Sequence, residues 1–154
     1  MARTCERVIS FENSKDKIEN CTKNAKIYEV VDKIEFNEKE FLDAENIKAD
    51  VVFINYWNRE VSEEISLWND LNPSLRRVID TAFSCADNFV MLLPSKSRLE
   101  ELVEIVYEAL EKNDDASKRS FIEIIHMKLD GKDCGIAVFY GEVSSVKQSL
   151  VVLV

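Results

Sequence analysis

The sequence predicts an α/β protein, a three-layer sandwich in which helices cover a mostly parallel sheet. Short apolar segments of strand character alternate along the chain with amphipathic segments whose apolar residues recur at helical spacing. The last two strand-like segments are separated only by "DGKD", a hairpin turn signal, so this pair is expected to be antiparallel. With 154 residues, 3 Gly, 2 Pro and no Pro- or Gly-rich linker, the chain is predicted to form a single, partial domain over residues 1–154.

The first third of the chain contains three predicted strands and one predicted helix. The strands read "RVISF", "DKIEF" and "ADVVFI", at residues 7–11, 32–36 and 49–54. Between the first two strands, residues 14–30 carry apolar side chains at helical spacing, and Asn13 or Ser14 is a suitable helix cap. The third strand is apolar at consecutive positions, which indicates burial on both faces, as in a parallel sheet.

The rest of the chain adds two helices, one strand and the terminal hairpin. Pro73 is expected to open a helix with Asn72 as its cap. A fourth buried strand reads "NFVMLL", and the amphipathic helix after it reads "RLEELVEIVYEALEKN". The hairpin strands read "SFIEIIHMKL" and "CGIAVFYGEV". The tail, "SSVKQSLVVLV", ends in apolar residues and is expected to extend an edge of the sheet or to cover the core.

The charge of the chain narrows its possible partners. A formal net charge of −9 excludes a uniform basic face for nucleic acid, so any RNA contact has to be a local patch or a pocket. The cations that could form such a patch are Arg76, Arg77, Lys96 and Arg98. Taken singly, each is more often an ordinary surface cation.

Signals for metal binding, secretion and membrane insertion are absent from the sequence. The four cysteines are never at C-x-x-C spacing and His126 is the single histidine, so a zinc site is not expected. The amino terminus, "MARTCERVISFEN", lacks the apolar core of a secretory signal. No run approaches the ~18 apolar residues that a spanning helix needs. We therefore expect a soluble intracellular protein.

Three positions after predicted strands are candidate ligand contacts, because open α/β sheets bind ligands at the carboxyl ends of their strands. Glu12 can accept both hydroxyls of a ribose, although a solvated acid near a helix start is the alternative. Glu40 can accept from an adenine amino group, although its whole surrounding stretch is acidic. Asn55, Tyr56 and Trp57 place an amide before two aromatic rings that can grip a flat ring. The alternative, in which both rings fill the core, stays open.

Four segments, taken in order, resemble the RNA cap guanine-N2 methyltransferases, the trimethylguanosine synthases. "VISFENSKDKIENCTKNAKIYEVVDKIEF" is similar to the family pattern VIAIDIDPxKIxxAxxNAxxYGVxDKIEF. "KADVVFI" resembles the start of KADVVFLSPPWGG, and "NFVMLLPSKSRLEEL" resembles NxVxFLPRNxxxxQL. "GKDCGIAVFYGEV" resembles NKLKTITAYFGDL. The resemblance runs from about residue 8 to residue 143.

The resemblance implies the fold of the class I S-adenosylmethionine-dependent methyltransferases and a nuclear role in RNA cap hypermethylation. The implied cofactor is S-adenosylmethionine, and the implied substrate is N2 of 7-methylguanosine in the 5′ cap of small nuclear and nucleolar RNAs. Glu12 stands at the family's ribose-binding Asp, and Glu40 at the acidic residue that faces the adenine. Trp57 stands for the Trp that stacks on the methylated guanine, while Asn55 and Tyr56 are the implied catalytic residues.

Departures from the family pattern lead to a second prediction. The sequence starts at the family's second strand and has no Gly before Gly131, so the first strand and the glycine-rich cofactor loop are expected to be missing. "NYWNRE" also replaces "SPPWGG" in the catalytic loop. An active enzyme would need a strand from another polypeptide, from upstream residues or from the tail "SLVVLV". The alternative is a catalytically dead methyltransferase fold that serves as a binding or interaction module.

Overall fold

The computed structural model describes residues 2–56, 63–112 and 122–143, which fall into two compact units. The first unit is Met1–Glu45 and the second is Asn46–Val154. Each unit has its own sheet, with two strands in the first and four in the second. Strands and helices alternate along the chain up to a terminal hairpin, which confirms the predicted α/β class.

The first unit consists of β1 (Val8–Phe11), α1 (Lys15–Ile27) and β2 (Ile34–Asn37). β1 and β2 pair in parallel, and the amide of Glu12 continues the pairing by donating to the carbonyl of Asn37 over 3.1 Å. Ala25 of α1 is the one buried apolar side chain among the described residues of this unit. The carboxyl ends of both strands therefore lie side by side at one edge of the small sheet.

The second unit consists of β3 (Val52–Asn55), α2 (Leu75–Cys85), β4 (Phe89–Leu93), α3 (Leu99–Lys112), β5 (Ile122–Leu129) and β6 (Lys132–Tyr140). Its strand order is β3-β4-β6-β5. β3 and β4 are parallel, whereas β6 is antiparallel to both β4 and β5. Asp130 and Gly131 join β5 to β6 with φ angles of 50° and 77°, the left-handed conformation that a tight hairpin turn requires. The predicted antiparallel hairpin is confirmed.

The core of the second unit is built from α2, α3 and the sheet, and its aromatic part lies between α2 and one face of the sheet. Alternate residues of β4, among them Phe89, are buried on this face. The ring of Phe89 stacks on that of Tyr140 at a centroid distance of 4.9 Å. Phe83 of α2 meets both rings edge-on, at 5.6 and 5.2 Å. Edge-to-face and offset contacts of this kind add roughly 0.5–1.5 kcal/mol each to the burial of the rings.

The start of α2 differs from the prediction. Ser74 is the residue at the helix amino terminus and α2 begins at Leu75, so the prediction that Pro73 opens the helix with Asn72 as its cap is wrong. The carbonyl of Ser74 accepts the first helical hydrogen bond, from the amide of Val78 at 3.1 Å. The carbonyl of Pro73 instead accepts from the hydroxyl of Tyr56, so a distant side chain holds Pro73 outside the helix.

Candidate functional site

The first unit brings both predicted cofactor-binding acids to the same end of its sheet. Glu12 directly follows β1, and Glu40 follows β2 after a short connection. Asn13, the neighbour of Glu12, donates a hydrogen bond from its side-chain amide to the carboxylate of Glu40. Because β1 and β2 are parallel, their carboxyl ends share an edge, and this is the edge where open α/β sheets bind ligands.

Local contacts fix the Glu12 carboxylate in place. Its Oε1 accepts from the amide of Ser14 at 3.0 Å, at the start of α1. Its Oε2 lies 3.3 Å from Nζ of Lys17, which is largely exposed. A carboxylate offers about four lone-pair sites, so both oxygens retain capacity for a further donor. Glu12 is therefore an oriented, half-buried acceptor.

An aromatic pair flanks the same end of the small sheet. Phe11, the last residue of β1, meets the ring of Phe41 edge-on at a centroid distance of 5.6 Å. Phe41 directly follows Glu40, whose carbonyl accepts from the amide of Asp43 at 3.1 Å. These contacts restrain the backbone that carries Glu40.

Sequence reasoning missed the partners of the two acids. The sequence suggests Asn13 only as a helix cap, whereas in the structure Ser14 holds the cap position and Asn13 donates a hydrogen bond to Glu40. Asn37 is a second partner that the sequence does not predict, and its carbonyl accepts a hydrogen bond from the amide of Glu12. Position alone was the available signal, because both asparagines lie at or next to the carboxyl end of a strand.

In the second unit, the end of β3 carries the two predicted catalytic residues. Asn55 is the last residue of β3, and its partner in the register is Leu92 of β4. The amide of Tyr56 donates to the carbonyl of Leu92 at 2.9 Å, and its hydroxyl donates to the carbonyl of Pro73 at 2.6 Å. Burial raises the pKa of Tyr56 well above its ordinary value. The hydroxyl therefore stays protonated and ties the end of β3 to the residues before α2. Trp57 lies outside the described residues.

Two of the cations considered for a phosphate contact are engaged in ion pairs. Nη1 of Arg76 lies 2.9 Å from the carboxylate of Glu108, and Nε of Arg98 lies 2.9 Å from that of Glu64. Ion pairs near the surface add little to stability because water screens them, and each neutralises the charge of its arginine locally. Their contacts favour an ordinary surface role for Arg76 and Arg98.

The described part of the chain holds neither a metal-binding cluster nor a membrane-spanning helix. No group of three or more His, Cys, Asp or Glu side chains in residues 2–56, 63–112 and 122–143 is arranged to hold a metal ion. No helix in these ranges is long and apolar enough to cross a membrane.

Comparison with solved structures identifies the fold. The chain aligns with a putative rRNA methylase from Clostridium thermocellum at a TM-score of 0.56 and 14% identity, over 86% of this chain and 73% of that one. It aligns with Trm5b from Pyrococcus abyssi at a TM-score of 0.57 and 15% identity, over 90% of this chain and 38% of Trm5b. A SAM-dependent O-methyltransferase from Thermotoga maritima aligns at a TM-score of 0.54 and 10% identity, over 87% of this chain and 49% of that one. The chain thus spans less than two thirds of two of these proteins. The likenesses confirm the predicted fold of the class I S-adenosylmethionine-dependent methyltransferases.

Comparison with sequence models of protein families shows which family the chain belongs to. No curated protein matches the chain. The family model described as RNA cap guanine-N2 methyltransferase, in contrast, matches residues 1–143 and so runs through both units. This stretch includes Glu12 and Glu40, which follow β1 and β2, and Asn55, which ends β3. The chain belongs to the RNA cap guanine-N2 methyltransferase family.

Proposed function

We propose that this chain is a trimethylguanosine synthase-like domain that methylates N2 of 7-methylguanosine in the 5′ cap of small nuclear or nucleolar RNA, in the nucleus. The cofactor of the proposed reaction is S-adenosylmethionine. The observation that carries the proposal is the placement of Glu12 and Glu40 at one end of the β1–β2 sheet, where Asn13, the neighbour of Glu12, donates a hydrogen bond to the carboxylate of Glu40. The family match over residues 1–143 supplies the reaction class.

Glu12 and Glu40 have the chemistry to hold the adenosine part of the cofactor. The two carboxylate oxygens of Glu12 match the vicinal hydroxyls of a ribose, and both retain acceptor capacity beside Ser14 and Lys17. Glu40 can accept from the adenine amino group. When bound, S-adenosylmethionine supplies an electrophilic methyl group on its sulfonium.

The end of β3 has the chemistry to orient the substrate amine. The side-chain oxygen of Asn55 and the carbonyls at the strand end can accept hydrogen bonds from the guanine 2-amino group and hold its nitrogen in line with the methyl group, at roughly 3 Å. Tyr56 is proposed as a positioning residue that holds the end of β3 in place, since its hydroxyl donates a hydrogen bond to the carbonyl of Pro73. Trp57 is proposed to stack on the positively charged 7-methylguanine, and a cation–π contact of this kind is worth roughly 1–2 kcal/mol.

A second candidate function is a catalytically dead binding or interaction module. The segment "NYWNRE" has neither Pro nor Gly where the family has both. A chain that lacks the prolines and glycines of the catalytic loop but keeps Trp57 fits a module that stacks on a base without transferring a methyl group.

Separate titrations with the cofactor and with a cap analogue distinguish the two functions. Calorimetry with S-adenosylmethionine should show binding that Glu12→Gln weakens by at least about tenfold, or ~1.4 kcal/mol, because the variant loses one of two charged acceptors. Glu19→Gln is the matched control, because Glu19 is an exposed glutamate of α1 outside the acid pair. Equal loss in both variants would contradict the assignment of Glu12.

Tryptophan fluorescence reports on the cap. Addition of 7-methylguanosine triphosphate should quench emission in the intact chain and in Trp68→Phe, but not in Trp57→Phe. Binding of both ligands, followed by transfer of tritiated methyl to the cap analogue, supports the enzyme. Cap binding without cofactor binding supports the module. Binding of neither ligand would overturn both functions.

A further inference from the structure

The side chain of Asn13 joins the ends of the two strands in the first unit. Asn13 is the second residue after β1, and its side-chain nitrogen donates a hydrogen bond to the carboxylate of Glu40, which lies beyond β2. Asn13 and Glu40 are exposed, so a ligand at this end of the sheet can reach both. The family pattern VIAIDIDP has Ile at the position of Asn13, and an Ile side chain has no hydrogen-bonding group. The carboxamide is therefore a feature of this chain that the family pattern does not supply.

The hydrogen bond to Glu40 determines how the Asn13 amide is turned. An ionised carboxylate only accepts hydrogen bonds, so the nitrogen of the amide, and not its oxygen, faces Glu40. If the amide turned over, its oxygen would lie against the carboxylate, and two acceptors would meet without a proton between them. Glu40 thus fixes the oxygen of Asn13 as the atom that the amide presents to a ligand.

Glu40 and Asn13 together present two acceptors to the same small group. The carboxylate has about four lone-pair sites and uses one of them for the nitrogen of Asn13. Within residues 2–56, 63–112 and 122–143, the side-chain oxygen of Asn13 has no hydrogen-bond donor. Because the two side chains are bonded to each other, one donor group with two N–H bonds can reach both acceptors.

Two adjacent acceptors distinguish the purines by the group at position 6. Adenine carries an amino group there, which has two N–H donors, whereas guanine and hypoxanthine carry an oxygen, which only accepts. A 6-amino group satisfies both acceptors. A 6-oxo group would face them with no proton to share, and such a mismatch costs binding free energy.

We propose that Asn13 is a specificity-determining residue of the cofactor site. Held by Glu40, its side-chain oxygen accepts a hydrogen bond from the 6-amino group of adenine, and the pair discriminates against purines with oxygen at this position. The inference rests on the proposed function, because it concerns S-adenosylmethionine bound at the carboxyl ends of β1 and β2. It adds to that function a residue that selects the base.

Calorimetric titration with S-adenosylhomocysteine and S-inosylhomocysteine tests the proposal, because the second ligand has an oxygen in place of the 6-amino group. The intact chain should prefer the adenosyl ligand roughly hundredfold, with about tenfold from each acceptor. Asn13→Ile introduces the residue of the family pattern and should reduce this preference about tenfold, by weakening the adenosyl ligand alone. Asn20→Ile, at an exposed position of α1, is the matched control and should leave the preference unchanged.

Glu40→Gln tests whether Glu40 orients the amide of Asn13. Gln donates as well as accepts, so it no longer holds the amide in one orientation. The losses of preference in Asn13→Ile and Glu40→Gln should therefore overlap, and the double variant should lose less than the product of the two single losses. A loss equal to that product would overturn the proposal that the two side chains act as a pair.

The titrations separate failure of this inference from failure of the proposed function. If the intact chain binds neither ligand, both are overturned. If Glu12→Gln weakens S-adenosylhomocysteine but Asn13→Ile keeps the full preference for it over S-inosylhomocysteine, the proposed function stands and this inference alone is overturned. Equal weakening of both ligands by Asn13→Ile would also overturn it, because a general disturbance of the site does not select between bases.

Discussion

The Glu101 carboxylate, at the start of α3, shows how one side chain joins segments that are distant in sequence. Its Oε2 accepts from the amide of Leu67 at 2.6 Å, the amide of Trp68 at 3.3 Å and the hydroxyl of Ser66 at 3.0 Å. Its Oε1 lies 3.2 Å from the guanidinium of Arg98. Burial is the largest single effect on the pKa of Glu101 and raises it. The hydrogen bonds together outweigh burial, and those from Ser66 and Trp68 contribute most. The pKa of Glu101 therefore lies below its ordinary value.

This shift predicts a pH-dependent contribution of Glu101 to stability. A carboxyl group whose pKa is lower in the folded state than in the unfolded state stabilises the fold when the pH is above the unfolded pKa, which is about 4.3 for Glu. This contribution to stability is lost as the pH falls through the folded pKa. Glu101→Gln should therefore lower the urea midpoint at pH 7, and the difference from the parent should shrink below about pH 4. Glu104→Gln, on the exposed side of α3, is the control and should show no such trend. A difference of equal size at pH 7 and pH 3 would rule out the charge as the cause.

At the scale of elements, the turn that ends β6 depends on Gly141. Its φ is +87°, and a Cβ at this position would overlap Oδ1 of Asn88 and lie 2.9 Å from the carbonyl of Asp87. The Asn88 oxygen cannot move away without losing the amide of Glu142. Gly131, in the β5–β6 turn, has a similar φ of +77° with nothing within 4 Å of its Cβ position.

These two glycines give a matched pair of substitutions. Gly141→Ala should lower the free energy of unfolding by roughly 2–4 kcal/mol, because it combines a left-handed backbone with overpacking. Gly131→Ala should cost only the backbone part, about 1–2 kcal/mol. Urea unfolding followed by circular dichroism measures both. Equal costs in the two variants would show that crowding at Asn88 is relieved without penalty.

At the scale of the whole molecule, the sequence predicted what depends on local pattern and missed what depends on distant partners. The alternation of elements and the hairpin turn are local, and both were predicted. The start of α2 was wrong because Tyr56, 17 residues away, binds the Pro73 carbonyl. The bond from Asn13 to Glu40 spans 27 residues, and periodicity carries no signal for such a pair. The positions of Glu12 and Glu40 after two strands predicted where these acids lie, but not the hydrogen bonds and the ion pair that orient them.

The two units differ in the number of buried apolar side chains, which makes the prediction of a single domain testable. Among the described residues, Ala25 is the one buried apolar side chain of Met1–Glu45, and all the others belong to the second unit. Domains of about 60 residues are already marginal because they bury only about 60% of the surface of the unfolded chain, and the 45 residues of this unit form only two strands, which are marginal by themselves. Residues 1–45 alone should therefore show no cooperative urea transition by circular dichroism. In the intact chain, the slowest amides of β1 and β2 should open with the same free energy as those of β4. A cooperative transition in the isolated segment, or separate opening in the intact chain, would show two independent domains.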